Sequence, residues 1–83
     1  MTQSEQGKDQ TGLDNTTYNL ISALEKEADF LYTTVGTYME DARKENRPEA
    51  EEVWKAIKET KRKNVQMLRD ALANEVKQNR MTS

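Results

Sequence analysis

Apolar residues recur at steps of three and four along two long stretches, and the single proline of the chain, Pro48, lies between them. This spacing places apolar side chains on one face of a helix. No useful length of sequence alternates polar and apolar residues, so no strand is predicted. The chain is therefore predicted to be all-α, an antiparallel two-helix hairpin that turns just before Pro48.

The ends of the two predicted helices carry residues that typically begin or end a helix. Asp14 suits an N-cap, Asn46 can close a helix in the left-handed conformation, and Pro48 suits a first helical position. Because the link is so short, the helices must run antiparallel. The expected segments are helix 1 at about 14–45, a turn at 46–47 and helix 2 at about 48–78, within a hairpin of 13–80.

The two ends of the chain are expected to lie outside the hairpin. Residues 1–12 contain no large apolar residue after Met1, which predicts a disordered tail, and 81–83 are expected to fray. The start of the sequence does not resemble a secretory signal, and no apolar run approaches 18 residues. We therefore expect a cytoplasmic protein without membrane contact.

One segment of helix 1 has low helix propensity. Residues 33–37, "TTVGT", combine four β-branched residues with a glycine, and all five are mediocre or poor helix formers. We expect the helix to continue, because the apolar stripe passes through without a change of phase. In the alternative, the helix breaks here and a third helix folds back in a monomer.

The apolar faces of the two helices are too wide for one hairpin. A lone pair of helices would leave a long apolar patch in contact with water, which monomers avoid. The expected solution is a homodimer in which two hairpins form a four-helix bundle. The expected core and dimer face comprises Ile21, Leu24, Leu31, Val35, Tyr38, Trp54, Ile57, Leu68 and Leu72.

Two polar residues, Lys61 and Asn64, fall on the apolar stripe of helix 2. In an antiparallel hairpin they lie level with the middle of helix 1, near Glu25, Glu27 and Tyr32. We expect Glu25 to pair with Lys61, and Tyr32 and Asn64 to complete a polar seam. Polar residues in such a seam typically fix helix register and oligomeric state.

The stretch "LEKEADFLYTTVGTY", followed by "VWKAIKETKRKNVQMLRDAL", resembles the helical hairpin of ferritin-like proteins such as rubrerythrins and encapsulated ferritins. The resemblance implies an inward glutamate on the first helix and a Glu-x-x-His on the second, which together hold a di-iron centre. Here the second motif reads Lys61-x-x-Asn64, so the resemblance implies a hairpin without its metal. An alternative site, in a metal-binding or redox protein, would use Glu25, Glu27 and Glu59.

The composition of the chain excludes several classes of functional site. The chain has no cysteine and no histidine, and its net charge is −2. Thiolate sites and histidine chemistry are thus excluded, and we expect no enzyme, no catalytic residue and no cofactor. The primary prediction is a small interaction or assembly module with an unknown protein partner. A third hypothesis is weak nucleic-acid binding by Lys58, Arg62 and Lys63, which is disfavoured because mixed charges surround the helix.

Overall fold

The computed structural model describes residues 12–78 and is all-helical, as predicted, with no strand in that range. The order is α1 (Asn15–Asp29), a π-helical turn (Phe30–Thr34), α2 (Val35–Lys44) and α3 (Pro48–Lys77). The first three elements are continuous and form the first arm, and α3 forms the second arm. Residues 1–11 of the expected disordered tail (1–12) and all of the expected frayed C-terminus (81–83) lie outside the described residues.

The first arm begins at the predicted cap. The Asp14 carboxylate accepts a 2.8 Å hydrogen bond from the backbone N–H of Thr17. This bond satisfies one of the N–H groups that a helix start leaves without an intrahelical acceptor. Asp14 is thus the N-cap of α1, as the sequence indicated.

The turn between the arms ends α2 with a left-handed residue. Asn46 has a φ of 62°, and the N–H of Arg47 donates a 2.8 Å hydrogen bond to the Ala42 carbonyl. This six-residue closure is the usual helix ending around a left-handed residue. Pro48 occupies the start of α3, where its missing N–H breaks no bond.

A salt bridge ties the two arms together beside this turn. Arg43 donates through Nη2 and Nε to the same carboxylate oxygen of Glu51, at 2.7 and 3.2 Å. The Glu51 side chain is largely shielded from solvent, whereas the Arg43 side chain is mostly exposed. The contact orients α3 against α2 from its first turn.

The first arm does not break at 33–37, and no third helix folds back within the described residues. Instead the helix widens, because the Val35 N–H donates to the Phe30 carbonyl, five residues earlier. The Thr33 hydroxyl donates a 2.7 Å hydrogen bond to the Asp29 carbonyl at the entry to the wide turn. Side-chain donation of this kind often bends or loosens a helix.

The arm continues as expected, but the wide turn changes its rotational phase. Residues eight apart lie about 80° apart around a regular α-helix. One residue absorbed by a π-helical turn reduces that angle to about 20°. Glu27 and Val35 therefore both face α3, and Phe30 and Tyr38 share another line along the arm.

The hairpin buries few apolar side chains. It measures 52 × 25 × 16 Å, and Val35 and Ala42 are the buried hydrophobic residues within the described range. Large apolar side chains remain exposed, including Met67 at 63% and Val53 at 53%. None of the helices in residues 12–78 combines the length and apolarity required to cross a membrane.

Candidate functional site

A polar cluster joins the two arms at mid-length. Lys61 Nζ donates to Glu27 Oε2 at 2.8 Å, and Asn64 Nδ2 donates to Glu27 Oε1 at 2.8 Å. The side chains of Lys61 and Glu27 are 28% and 20% exposed. Both carboxylate oxygens thus have a donor from α3, and the cluster fixes one axial position of α1 against α3.

The cluster stabilises the charged form of its carboxylate. The hydrogen bond from Lys61 lowers the pKa of Glu27 below its ordinary value, and the bond from Asn64 lowers it further. Partial burial acts in the opposite direction, and the positive charge of Lys61 adds to the lowering. Glu27 is therefore held as an ionised acceptor at neutral pH.

Two of the predicted members of the seam lie elsewhere. Glu25 is exposed and does not pair with Lys61. It precedes Glu27 by two residues, so its side chain points about 200° away from that of Glu27 around the helix. Tyr32 is 90% exposed and lines a groove instead of joining the polar cluster. The seam therefore consists of Glu27, Lys61 and Asn64.

An aromatic cluster adjoins the polar one. The Trp54 ring lies 4.9 Å from Tyr38 and 6.4 Å from Phe30, centroid to centroid, and Phe30 meets Tyr38 edge-on at 6.0 Å. Lys61 Nζ lies 5.2 Å from the centre of the Phe30 ring, within cation–π range. Phe30 was not predicted in the core, because its eight-residue spacing to Tyr38 fits only a widened helix.

The residues present do not fit a di-iron centre. At the Glu-x-x-His positions, Lys61 and Asn64 present hydrogen-bond donors to Glu27 rather than lone pairs to a metal. Glu25 is exposed, and Glu59 lies 3.7 Å from an arginine. Within residues 12–78, no three acidic side chains gather to hold a metal ion, so the alternative carboxylate site is not formed.

The two sides of the hairpin carry different grooves. The first, which we call the apolar groove, has a volume of about 500 Å³. Its walls come from α1 and α3, and Glu27 and Asn64 of the polar cluster form part of them. The apolar groove is lined by Leu20, Ala23, Lys26, Glu27, Asn64, Met67, Leu68 and Ala71.

The second groove, which we call the basic groove, has a volume of about 570 Å³. Lys58, Arg62 and Arg69 line it, so part of the basic run shares one side of α3. Lys63, predicted with Lys58 and Arg62, does not line it. The remaining lining residues are Ala28, Leu31, Tyr32, Val65 and Gln66.

The predicted core face is only partly removed from solvent. Val35 is buried, and Tyr38 is 41% exposed despite its ring contacts. The other members are half-buried, namely Ile21, Leu24, Leu31, Trp54, Ile57, Leu68 and Leu72. One hairpin therefore shields these residues without enclosing them.

Comparisons of the chain with protein-family models, with curated proteins and with solved structures gave no match.

Proposed function

We propose that this protein is a non-enzymatic assembly module, in which two hairpins pair through their apolar grooves into a four-helix bundle. The observation that carries the proposal is the small core. Within the described residues, Val35 and Ala42 are the buried apolar side chains, although both arms are long and amphipathic. A stable helical domain needs to bury a broader apolar face than this.

The apolar groove is the better surface for self-pairing. In a two-fold dimer the same patch of both copies meets itself, so it must be self-complementary. The basic groove would bring Lys58, Arg62 and Arg69 of each copy together, and such like-charge contacts are costly. The apolar groove holds a single cation, Lys26, and the Ala23 side chain leaves room for close helix approach.

The polar cluster fits this arrangement. Because Glu27 and Asn64 line the apolar groove, a second hairpin would cover them and exclude water from their hydrogen bonds. Satisfied polar groups in an otherwise apolar helical seam select one register and one oligomeric state. The proposed bundle is a metal-free counterpart of the ferritin-like hairpin that the sequence resembles.

The test is the oligomeric state of a matched pair of variants. Met67 lines the apolar groove and Val53 does not, yet both are exposed apolar residues of α3. Met67→Glu places a charge in the proposed interface, so we expect it to dissociate the dimer. Val53→Glu introduces the same charge outside the interface, so we expect the dimer to persist.

Sedimentation velocity across a dilution series measures both variants against the wild-type chain. A wild-type dimer, dissociated at least about tenfold more readily by Met67→Glu than by Val53→Glu, is the expected result. A wild-type monomer at high protein concentration would overturn the proposal. Equal dissociation by the two variants would instead place the interface outside the apolar groove.

A further inference from the structure

We propose that the basic groove binds an acidic amphipathic helix of a partner protein. The inference rests on the proposed assembly function, since pairing through the apolar grooves leaves the basic groove on the outside of the bundle. It adds the chemistry of the partner, which the self-pairing surface does not determine.

The cations of the basic groove form a line along α3. Lys58, Arg62 and Arg69 follow one another at steps of four and seven residues, so they share one side of the helix. The line spans about 16 Å at 1.5 Å per residue. A partner helix with acidic residues at the same steps would place one carboxylate beside each cation.

The floor of the groove is aliphatic. Ala28 and Leu31 of the first arm and Val65 of α3 line the groove together with the cations. This floor can accept the apolar stripe of a helix whose flanks are acidic, which is a common mode of helix recognition. A purely ionic ligand would leave these side chains in contact with water.

Tyr32 gives the groove an anchor. Its side chain is 90% exposed, so a ring of this size contributes almost nothing to the hairpin itself. Tyrosine is enriched among the residues that dominate binding energy at interfaces, because it offers large apolar area and a polar tip. The π-helical turn places Tyr32 at the edge of the groove.

The cations of the groove are available to a ligand. Within the described residues, Lys58 and Arg69 form no salt bridge. Arg62 lies 3.7 Å from Glu59, but both side chains are more than 60% exposed. An exposed pair of this kind contributes little and is readily exchanged for a better partner.

A nucleic acid fits the groove less well than an acidic helix does. Single-stranded nucleic acids bind where several aromatic side chains stack bases along a positively charged track. The basic groove offers one exposed aromatic residue, Tyr32, and an aliphatic floor that a phosphodiester backbone cannot use. The net charge of −2 also gives no general attraction to a polyanion.

The experiment uses the full chain and a fluorescently labelled synthetic peptide. The peptide is a stapled helix with leucines on one stripe and glutamates on both flanks, and a second peptide carries lysines in place of the glutamates. Fluorescence anisotropy measures binding to the wild-type chain and to Tyr32→Ala, Arg62→Glu and Lys63→Glu. Lys63 is the matched control, because it is an exposed neighbouring cation that does not line the groove.

We expect the acidic peptide to bind the wild-type chain and the basic peptide not to bind. Arg62→Glu and Tyr32→Ala should each weaken the Kd by about tenfold or more, whereas Lys63→Glu should change it by less than about threefold. Equal losses for Arg62→Glu and Lys63→Glu would overturn the proposal, since they indicate nonspecific attraction. Binding of a labelled oligothymidylate in place of the peptide would also overturn it and indicate a nucleic-acid site.

Sedimentation velocity on the same samples separates this proposal from the assembly proposal. A dimer that does not bind the acidic peptide would overturn the groove assignment and leave self-pairing intact. A monomer that binds the peptide with the expected variant pattern would overturn self-pairing and leave the groove assignment intact.

Discussion

Glu27 and Lys61 are separated by 34 residues in the chain, yet their side chains meet at 2.8 Å at mid-length of the hairpin. The carboxylate also accepts a bond from Asn64, and the ammonium also lies against the Phe30 ring. Each charge is therefore compensated in more than one direction. Replacing one of the two charged side chains should therefore lower the free energy of unfolding more than replacing both.

A double-mutant cycle tests this coupling. Lys61→Met should lower the free energy of unfolding by about 1–2 kcal/mol, because a partly buried carboxylate loses its charged donor. Combining Lys61→Met with Glu27→Leu should restore stability to within about 1 kcal/mol of the wild type. Urea unfolding at one protein concentration, followed by Trp54 fluorescence, measures all four chains. Strictly additive losses would show that the two side chains are not coupled.

The same carboxylate should make stability depend on pH. The pKa of Glu27 is lowered in the folded chain, so its contribution is fully present above the ordinary glutamate value of about 4.3. This contribution is lost as the pH falls from there through the lowered folded value. We expect the urea midpoint of the wild type to fall more steeply below about pH 4.3 than that of Glu27→Gln.

Parallel pH profiles of the two chains show whether Glu27 is responsible. Other carboxylates titrate in the same range, so only the difference between the profiles is informative. Because the side-chain amide introduced by Glu27→Gln cannot ionise, that difference should shrink as the pH falls. A difference that stays constant from neutral pH to about pH 3 would contradict the assigned cause.

Local signals in the sequence were sufficient for the ends of the helices. Asp14, Asn46 and Pro48 act through their own backbone and the nearest turn, so their effects do not depend on the opposite arm. The all-helical class followed from the spacing of apolar residues. These features are determined within a few residues of chain.

The polar seam was predicted only in part, because it depends on rotational phase. Lys61 and Asn64 were identified from their own stripe, but the choice between Glu25 and Glu27 required the phase of the opposite arm. That phase changes at the π-helical turn, which aligns Phe30 with Tyr38. The composition of 33–37 indicates weak α-helix formation. It does not show whether the first arm bends, breaks or widens there.

The basic groove could be predicted only in part, because it is formed by residues of both arms. The four- and seven-residue steps of Lys58, Arg62 and Arg69 are visible in the sequence. A groove exists only where Ala28 and Leu31 of the first arm stand opposite them.

The π-helical turn predicts an unusual tolerance to deletion. Deleting Thr33 should convert the wide turn into a regular helix and keep both halves of the arm facing α3, because the turn absorbs one residue. Stability should stay within about 1 kcal/mol of the wild type. Deleting Thr60, an exposed threonine in the unwidened α3, should rotate everything after it by about 100° and destabilise the chain by more than about 3 kcal/mol.

Thermal unfolding monitored by circular dichroism compares the two deletions. A shift of about 1 kcal/mol corresponds to about 4–8 °C for a domain of this size. Similar losses for both deletions would mean that the wide turn does not absorb the missing residue.

A buried hydroxyl offers a stabilising substitution. Thr17 is fully buried, and its Oγ1 atom has no hydrogen-bond partner within the described residues. Thr17→Val keeps the shape and removes the desolvated hydroxyl, so we expect the free energy of unfolding to rise by about 1 kcal/mol. Thr16→Val, at the exposed neighbouring position, should change it by less than about 0.5 kcal/mol. A loss of stability in Thr17→Val, measured by urea unfolding, would indicate that the hydroxyl is satisfied in solution.

The widened turn also has a consequence for tracing ancestry. Sequence alignments normally confine insertions to loops, because an extra residue within a helix displaces every side chain that follows. Here one additional residue is accommodated between Asp29 and Val35 without disturbing either half of the arm. A homologue with an uninterrupted helix would carry one residue fewer in that interval, and aligning the two correctly would require a gap inside a helix.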